Sequence, residues 1–246
     1  MENPKLRIRV FRAIDNNELC QKYVDGHVRV LAIYGIAMIT SAKVQWFSDP
    51  DTYVILVESS DGEKLYGGAR VQVAKGNFEL PLENALKKFD PTVLDLVKEN
   101  IPAGTGELCG LWNSREVAGL GIGSIYLGRV GVALAMRLKL NTLFALCAPA
   151  TVKNCMRVGF LVEDRLGDHG GFFYPKEGLV ATAVTLHDVA TLNQAETDER
   201  AKIFDLYNNP IQEKDDLTPR GKIMEIDYNL IVPKYSIIND NRNSEI

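Results

Sequence analysis

The sequence predicts a mixed α+β fold, and three observations carry that prediction. Residues 53–58 and 65–73 are β-rich runs joined by Ser-Ser-Asp-Gly-Glu, a hairpin signal because Asp-Gly supplies the positive φ of the turn. Residues 142–148 form a near-continuous apolar run, as in a strand covered on both faces. Residues 111–160 alternate strand, glycine-rich turn, helix, strand and helix. Strands and helices therefore share one layered core.

The remaining elements follow from local patterns of apolar, glycine and proline residues. The connection 74–106 contains two short helical patterns, which favours a lid or a pocket wall over a structureless loop. The predicted elements are, in chain order, a strand at 7–14, helical spacing up to 39, the hairpin, helices at 82–89 and 91–100, a strand at 107–112, a helix at 124–138, a strand at 142–148, a helix at 150–158, a strand from 160, a strand at 180–186, a helix at 195–207, a loop at 210–219, a strand at 223–232 and a frayed tail at 239–246.

Length and charge limit the function classes. The 246-residue chain is 46% apolar with a formal net charge of −4, so it can bury a large core and has no strong attraction for nucleic acid. No run approaches the roughly 20 apolar residues of a membrane span. The first ten residues lack the apolar stretch of a signal peptide, so we expect a cytoplasmic protein. We predict a main domain at 1–190, with a helical insertion at 74–106, and a polar C-terminal extension at 191–246.

Cysteine and histidine usage predicts no metal site. The four cysteines contain no C-x-x-C pair, and the chain has only three histidines. Most of the cysteines are expected to be buried free thiols.

The glycine-rich turn is the most informative motif. Gly119-Leu120-Gly121-Ile122-Gly123 precedes a predicted helix at Ser124, whose unpaired N–H groups can hold an anion where glycines leave room for it. A plain strand-to-helix turn is the alternative. No Gly-Lys-Ser/Thr follows, which excludes a P-loop, and the next strand ends in Cys-Ala-Pro rather than an acidic residue, which disfavours a dinucleotide-binding unit.

The order of elements, this turn and Gly159-Phe160 after the last short helix resemble the GNAT acyltransferase superfamily. Gly121 and Gly123 match the glycines of the family turn Arg/Gln-x-x-Gly-x-Gly/Ala, while Ala118 stands where Arg or Gln is usual. The resemblance covers roughly residues 6–186. It implies a GNAT-like acyl-CoA N-acyltransferase fold, with a central mixed, largely antiparallel sheet flanked by helices.

A further resemblance is to acyl-homoserine-lactone synthases and long-chain N-acyl amino acid synthases. These relatives have Gly-x-Arg after the hairpin, then Leu/Phe-Pro, then Glu-Leu-Ser-Arg opening the fourth strand. Here Arg70 and Glu107 fit this pattern, and Leu80-Pro81 fits the insertion. Cys109-Gly110 replaces Ser-Arg, a departure that weakens the match to the homoserine-lactone reaction.

The resemblance implies roles for particular residues. Backbone amides from Ala118 to Ser124 would hold the phosphates of the donor, and main-chain groups of Leu111, Trp112 and Asn113 would bind its pantetheine arm. Glu107 would orient or deprotonate the acceptor, the alternative being an exposed strand-end glutamate. Arg70 would bind an acceptor carboxylate or pair with Glu107 as an ion pair.

Two further positions stay open. Cys155 stands where many GNAT enzymes have the tyrosine that protonates the leaving thiolate, so it is either that donor or a buried packing residue. His169 is a reserve base candidate or a solvated loop histidine. The aromatic run 172–174 lines an acyl pocket or covers the sheet edge.

The sequence thus predicts an N-acyltransferase that moves an acyl group from acyl-CoA, acetyl-CoA or an acyl-carrier protein to the amine of a small molecule, without metal. The alternative is a non-catalytic GNAT-like protein that binds acyl thioesters or a partner. We expect no nucleic-acid partner and no membrane span, and we keep a homodimer open.

Overall fold

The computed structural model describes residues 5–37, 39–75, 78–115, 123–218, 221 and 223–231. In these residues ten strands form one twisted sheet, with helices on both faces. The strands are β1 Lys5–Arg12, β2 Thr52–Ser59, β3 Leu65–Val73, β4 Thr105–Asn113, β5 Thr142–Cys147, β6 Leu161–Val162, β7 Gly171–Phe173, β8 Val180–Leu186, β9 Ile211–Leu217 and β10 Ile223–Asn229. The helices are α1 Asn17–Ile33, α2 Pro81–Leu86, α3 Thr92–Asn100, α4 Ser124–Arg137, α5 Pro149–Arg157 and α6 Thr197–Asn208.

The sheet is mixed and largely antiparallel, as predicted. Its order is β6-β8-β5-β4-β3-β2-β1-β10-β9, with β7 also paired to β8. The pairs β4–β5 and β1–β10 are parallel, and the other pairs are antiparallel. The predicted hairpin β2–β3 is present, with Val54 opposite Arg70.

Alternation along β2 assigns the two faces of the sheet. Ile55 and Val57 belong to a core cluster with α4, whereas Val54 and Leu56 belong to a cluster with α1. Successive side chains of a strand point to opposite faces, so a fully buried strand needs apolar residues at every position. The central strands are therefore covered on both faces.

The predicted insertion folds into two short helices. α2 and α3 pack with Phe144 of β5 and Phe172 of β7 in a third apolar cluster, on the same face as α1. α2 begins at Pro81, where a proline costs no helical hydrogen bond, and Glu83 accepts a hydrogen bond from Leu80 N–H at 2.7 Å. The connection is thus a packed wall rather than a free loop.

The structure differs from the local predictions in three places. The helical spacing predicted up to residue 39 corresponds to one helix that ends at Ile33, and a 3₁₀ turn, Thr40–Ala42, follows. β7 lies within a stretch for which no strand was predicted. Residues 211–217, predicted as loop, form β9 at the edge of the sheet, because their backbone pairs with β10 although their composition is polar.

The C-terminal segment joins the main sheet. β10 pairs with β1, and α6 reaches α4 through a buried ion network in which Arg129 bonds Glu199 and Asp216. Arg157 of α5 adds a bond to Glu199 at 2.8 Å. The division of the chain near residue 190 stays a prediction. Among the helices of the described ranges, none is both long and apolar enough to cross a lipid bilayer.

Candidate active-site cleft

The two parallel central strands diverge and leave a cleft between them. β4 pairs with β5 only from Thr105 to Glu107, although β4 continues to Asn113. Beyond that point residues 108–111 and 145–148 line a cavity of about 230 Å³. Because β5 turns away, the edge of β4 that faces the cleft has no strand partner there, and its backbone groups are available to a ligand.

The walls of the cleft are mostly apolar. α1 contributes Leu31, the segment before β2 contributes Ile36 and Ile39, and the β8 side contributes Leu179 and Val180. Such walls suit an aliphatic chain.

Glu107 is the acidic residue of the cleft wall. Its side chain is 2% exposed, and its Oε2 accepts a hydrogen bond from Leu82 N–H at 2.7 Å. Burial raises the pKa of Glu107 to about 8, although the Leu82 N–H and the charge of Arg70 act in the opposite direction. The exposed strand-end alternative is therefore wrong, and the carboxyl titrates near neutral pH inside the cleft.

A bulge in β4 shapes the wall next to Glu107. Arg70 pairs with Cys109 and Gly68 pairs with Trp112, so Gly110 and the residue after it share one partner position. Gly110 has φ of +59°, and its carbonyl accepts a hydrogen bond from Tyr23 Oη at 2.5 Å. A Cβ at Gly110 would lie 2.2 Å from that Tyr23 oxygen. Gly110 stands where the relatives' pattern has Arg, and its positive φ and the close Tyr23 oxygen explain the glycine at this position.

Arg70 lines a second cavity, of about 270 Å³, beside the first. Its guanidinium is 1% exposed, donates to the Ser41 carbonyl at 2.5 Å and lies 4.5 Å from the centre of the Trp46 ring. The Nε of Arg70 and the Nε1 of Trp46 are buried without hydrogen-bond partners. Guanidinium groups form their strongest hydrogen bonds with carboxylates and phosphates.

Arg70 and Glu107 do not form the predicted ion pair. No N–O distance of 4.0 Å or less joins these two described residues. Arg70 lies diagonally across the β3–β4 ladder from Glu107, and the segment 40–42 takes its guanidinium instead. Thr40 and Pro81 line both cavities, so they form the partition between them.

Comparison with known proteins finds relatives by structure. No family model and no curated protein sequence matches the chain. FeeM, an N-acyl amino acid synthase from uncultured soil microbes, matches with a TM-score of 0.58 and 14% identity, over 80% of this chain and 98% of its own. BjaI, a CoA-dependent acyl-homoserine lactone synthase, matches with 0.52 and 13%, over 94% and 95%. The AHL synthase LasI matches with 0.50 and 16%, over 78% and 93%.

The chain has the GNAT-like acyltransferase fold. Divergence of two parallel central strands, with a helix starting after the first of them, is the feature that positions its cleft.

That helix, α4, begins at Ser124 as predicted. Gly123 precedes it in an extended conformation, and a Cβ there would meet no atom of the described residues within 4 Å. Ser124 Oγ accepts a hydrogen bond from Asn154 Nδ2 at 2.6 Å, which ties the helix start to α5. The predicted phosphate-binding residues Ala118, Gly119, Leu120, Gly121 and Ile122 lie outside the described residues.

The predicted pantetheine-binding residues of β4 divide between two surroundings. Leu111 lines the cleft. Trp112 is 3% exposed and packs under α1, with its ring 2.2 Å from where a Cβ at Gly26 would lie. Asn113 pairs with Gly67 across β3–β4, and its side-chain oxygen is buried without a partner. Only Leu111 of the three lines the cleft.

Cys155 also lines the cleft, but its nearest polar partner is another thiol. Its Sγ lies 3.3 Å from Sγ of Cys147, and both side chains are buried. The hydrogen bond with Cys155 and the burial of the site raise the pKa of Cys147. The sequence pattern pointed to Cys155 alone. Its contact with Cys147, eight positions earlier, was missed because the β5–α5 turn brings the two residues together.

His27 is a cleft residue that sequence analysis missed. It lies on α1 between Tyr23 and Leu31, is 3% exposed and lines the cavity, with Nδ1 buried and without a partner. Burial lowers the pKa of His27 to about 4, with the charge of Arg70 as a further cause, so the imidazole is neutral at pH 7. The sequence did contain a signal for the burial of His27, because it lies four residues after Tyr23 and four before Leu31, on the apolar side of the helix.

The candidate residues predicted in the loop region 169–174 lie in different surroundings. His169 is exposed at positive φ and does not line the cleft. Phe172 packs in the α2–α3 cluster, whereas Tyr174 lines the cleft and accepts a hydrogen bond from Thr40 N–H at 2.9 Å. The described residues bring no three potential metal ligands together.

Proposed function

We propose that this protein is an N-acyltransferase that moves an acyl group from an acyl thioester, acyl-CoA or an acyl-carrier protein, to the amine of a small molecule. The observation that carries the proposal is the carboxyl of Glu107, buried in the wall of the cleft with its pKa raised to about 8. A base is most effective when its pKa lies near the working pH. A carboxylate whose pKa is raised is a stronger base than an ordinary glutamate, so Glu107 can take the proton that the attacking amine loses.

The donor fits the free edge of β4. A pantetheine arm is an extended chain with amide groups, and it can pair with this edge as another strand would. The phosphates would then approach the start of α4 at Gly123 and Ser124, where helix N–H groups and the helix dipole favour anions. The apolar walls at Ile39 and Leu179 would contact the acyl chain, which favours a longer chain than acetyl.

The acceptor fits the second cavity. Arg70 would bind a carboxylate with the donors that point away from Ser41, and Trp46 Nε1 would add another donor. The partition at Thr40 and Pro81 separates this anion site from the cleft, so an acceptor anchored there would extend its amine past the partition. An amine that also carries a carboxylate, as in an amino acid, is the acceptor class that meets both requirements.

The reaction is direct attack. The amine nitrogen forms a bond to the thioester carbonyl carbon, Glu107 takes the proton that the nitrogen loses, and the C–S bond breaks to release a thiolate. Cys155 lines the same cleft and is available to protonate that thiolate. No covalent acyl-enzyme is required.

Thermal unfolding in the presence of donor analogues is the first test. A ligand that binds only the folded state raises its stability by about 2.7 kcal/mol at a hundred times the Kd. We expect stabilisation to increase from CoA through acetyl-CoA and octanoyl-CoA to palmitoyl-CoA. A preference for acetyl-CoA would refute the longer-chain assignment, and no response to any of them would leave acyl-carrier protein as the donor to test.

Two variants separate binding from chemistry. At Gly123 the described residues leave room for a Cβ, so Gly123→Val should keep the fold and lose donor binding. Glu107→Gln should keep donor binding and lose free-thiol release in the presence of an amino-acid mixture, by about a hundredfold or more. Donor binding without turnover by the wild type in that assay would favour the non-catalytic alternative.

A further inference from the structure

Two of the four thiols form a pair in the wall of the cleft. Cys147 is the last residue of β5, and Cys155 lies on the inner face of α5, which starts one residue after Ala148. Because the turn is this short, the helix returns over the strand end and the two Sγ atoms meet at 3.3 Å. Cys20 instead donates to the Ala13 carbonyl at 3.4 Å, and Cys109 lies on β4.

The distance between the two sulfur atoms is close to that of a bond. A disulfide has an S–S length of about 2.05 Å, so the Sγ atoms must approach by only about 1.3 Å. Rotation about the side-chain χ1 angles and a small movement of α5 can supply this. Cys155 is the seventh of the nine residues of α5, so the movement involves one short helix.

Both cysteines line the cavity of the cleft. Cys147 is 5% exposed and Cys155 is 6% exposed. Cys109 lines the same cavity and is 6% exposed, but it has no second thiol in contact.

We propose that Cys147 and Cys155 are a reversible modification site, a dithiol that a low-molecular-weight disulfide such as oxidised glutathione converts to an intramolecular disulfide. This inference is independent of the acyltransferase proposal. In the first step one thiol of the pair loses its proton and attacks the small disulfide, which forms a mixed disulfide and releases one equivalent of the small thiol. In the second step the other thiol loses its proton and attacks the protein sulfur of the mixed disulfide, which releases the second equivalent. The protein loses two protons and two electrons, and the small disulfide is reduced to two thiols.

Peptide mapping tests the proposal directly, because Lys153 lies between the two cysteines. The reduced full-length protein is incubated with oxidised glutathione, alkylated in denaturant and digested with trypsin. Cleavage after Lys153 separates the two cysteines, so a disulfide appears as two peptides joined through sulfur. We expect that joined pair, and we expect dithiothreitol to remove it. A protein that keeps four alkylated thiols after this treatment overturns the proposal.

Variants distinguish the pair from general oxidation. Cys147→Ala and Cys155→Ala each keep one thiol of the pair, so any glutathione attached to that thiol should stay as a mixed disulfide and no joined peptide should form. The Cys20→Ser/Cys109→Ser protein should form the disulfide as the wild type does. A joined peptide that persists in Cys147→Ala, or one that contains Cys109, would also overturn the assignment. Circular dichroism of each variant establishes that it is folded before oxidation.

Discussion

The pH dependence of stability tests the state of Glu107 most directly. In the folded protein the carboxyl has a pKa of about 8, against an ordinary value of 4.5. The folded state therefore binds this proton more tightly than the unfolded state does. The stability that this proton contributes is fully present below the unfolded pKa and is lost as the pH rises from about 4.5 to about 8.

The magnitude follows from the two pKa values. At about 1.4 kcal/mol for each pH unit between them, full ionisation of Glu107 costs roughly 5 kcal/mol as an upper bound. Relaxation of α2 and entry of water into the cleft reduce this, so we expect a measured loss of about 2–4 kcal/mol. Glu107→Gln keeps an oxygen that can accept the Leu82 N–H bond, and it removes the titration.

The assay is urea unfolding of wild type and Glu107→Gln at about pH 5 and about pH 9. We expect the variant to gain stability relative to wild type as the pH rises, by about 2–4 kcal/mol across the range. Glu99→Gln, a change at an exposed glutamate of α3, is the matched control and should follow the wild-type curve. Parallel curves for Glu107→Gln and wild type would refute the buried, proton-holding carboxyl.

Further predictions follow from other buried groups. Gly110→Ala should destabilise the protein by about 2 kcal/mol or more, because its Cβ would meet Tyr23 Oη and because the residue has a positive φ. Adding Tyr23→Phe should recover part of the lost stability in thermal unfolding. Arg129→Ala should cost about 3 kcal/mol in urea unfolding, because Glu199 and Asp216 lose the buried cation between them and keep only the partly exposed Arg157 and Lys202. A cost below about 1 kcal/mol would contradict a buried network. Oxidation of the Cys147–Cys155 pair should reduce stabilisation by octanoyl-CoA, since both residues line the cleft; unchanged stabilisation of the oxidised protein would place the acyl chain away from that wall.

The central elements were predictable because their signals are local. The apolar run of β5, the Asp-Gly hairpin and the helix from Ser124 each depend on residues close in sequence, and each is present with bounds within a residue or two. β9 was not predictable in this way. Its polar residues include Asp216, whose burial is compensated by Arg129 from a helix more than eighty residues earlier. An edge strand with charged residues has no local apolar pattern.

The residues of the candidate site show the same difference between local and long-range signals. The resemblance to the synthases pointed to Glu107 and Arg70, and both are buried beside cavities, while their roles stay predictions. The separation of the two side chains was not predictable, because the segment between α1 and β2 gives Arg70 the Ser41 carbonyl as its partner. His27 and the Cys147–Cys155 pair were missed since their neighbours in the cleft come from other elements.

The sequence by itself determined the class of fold and the central strands, because periodicity, turn chemistry and composition act over a few residues. Only the tertiary structure decided the burial of Glu107, the separation of Arg70 from it and the contact of the two thiols. Those properties depend on desolvation and on distances between elements, and the packing of distant parts of the chain sets both.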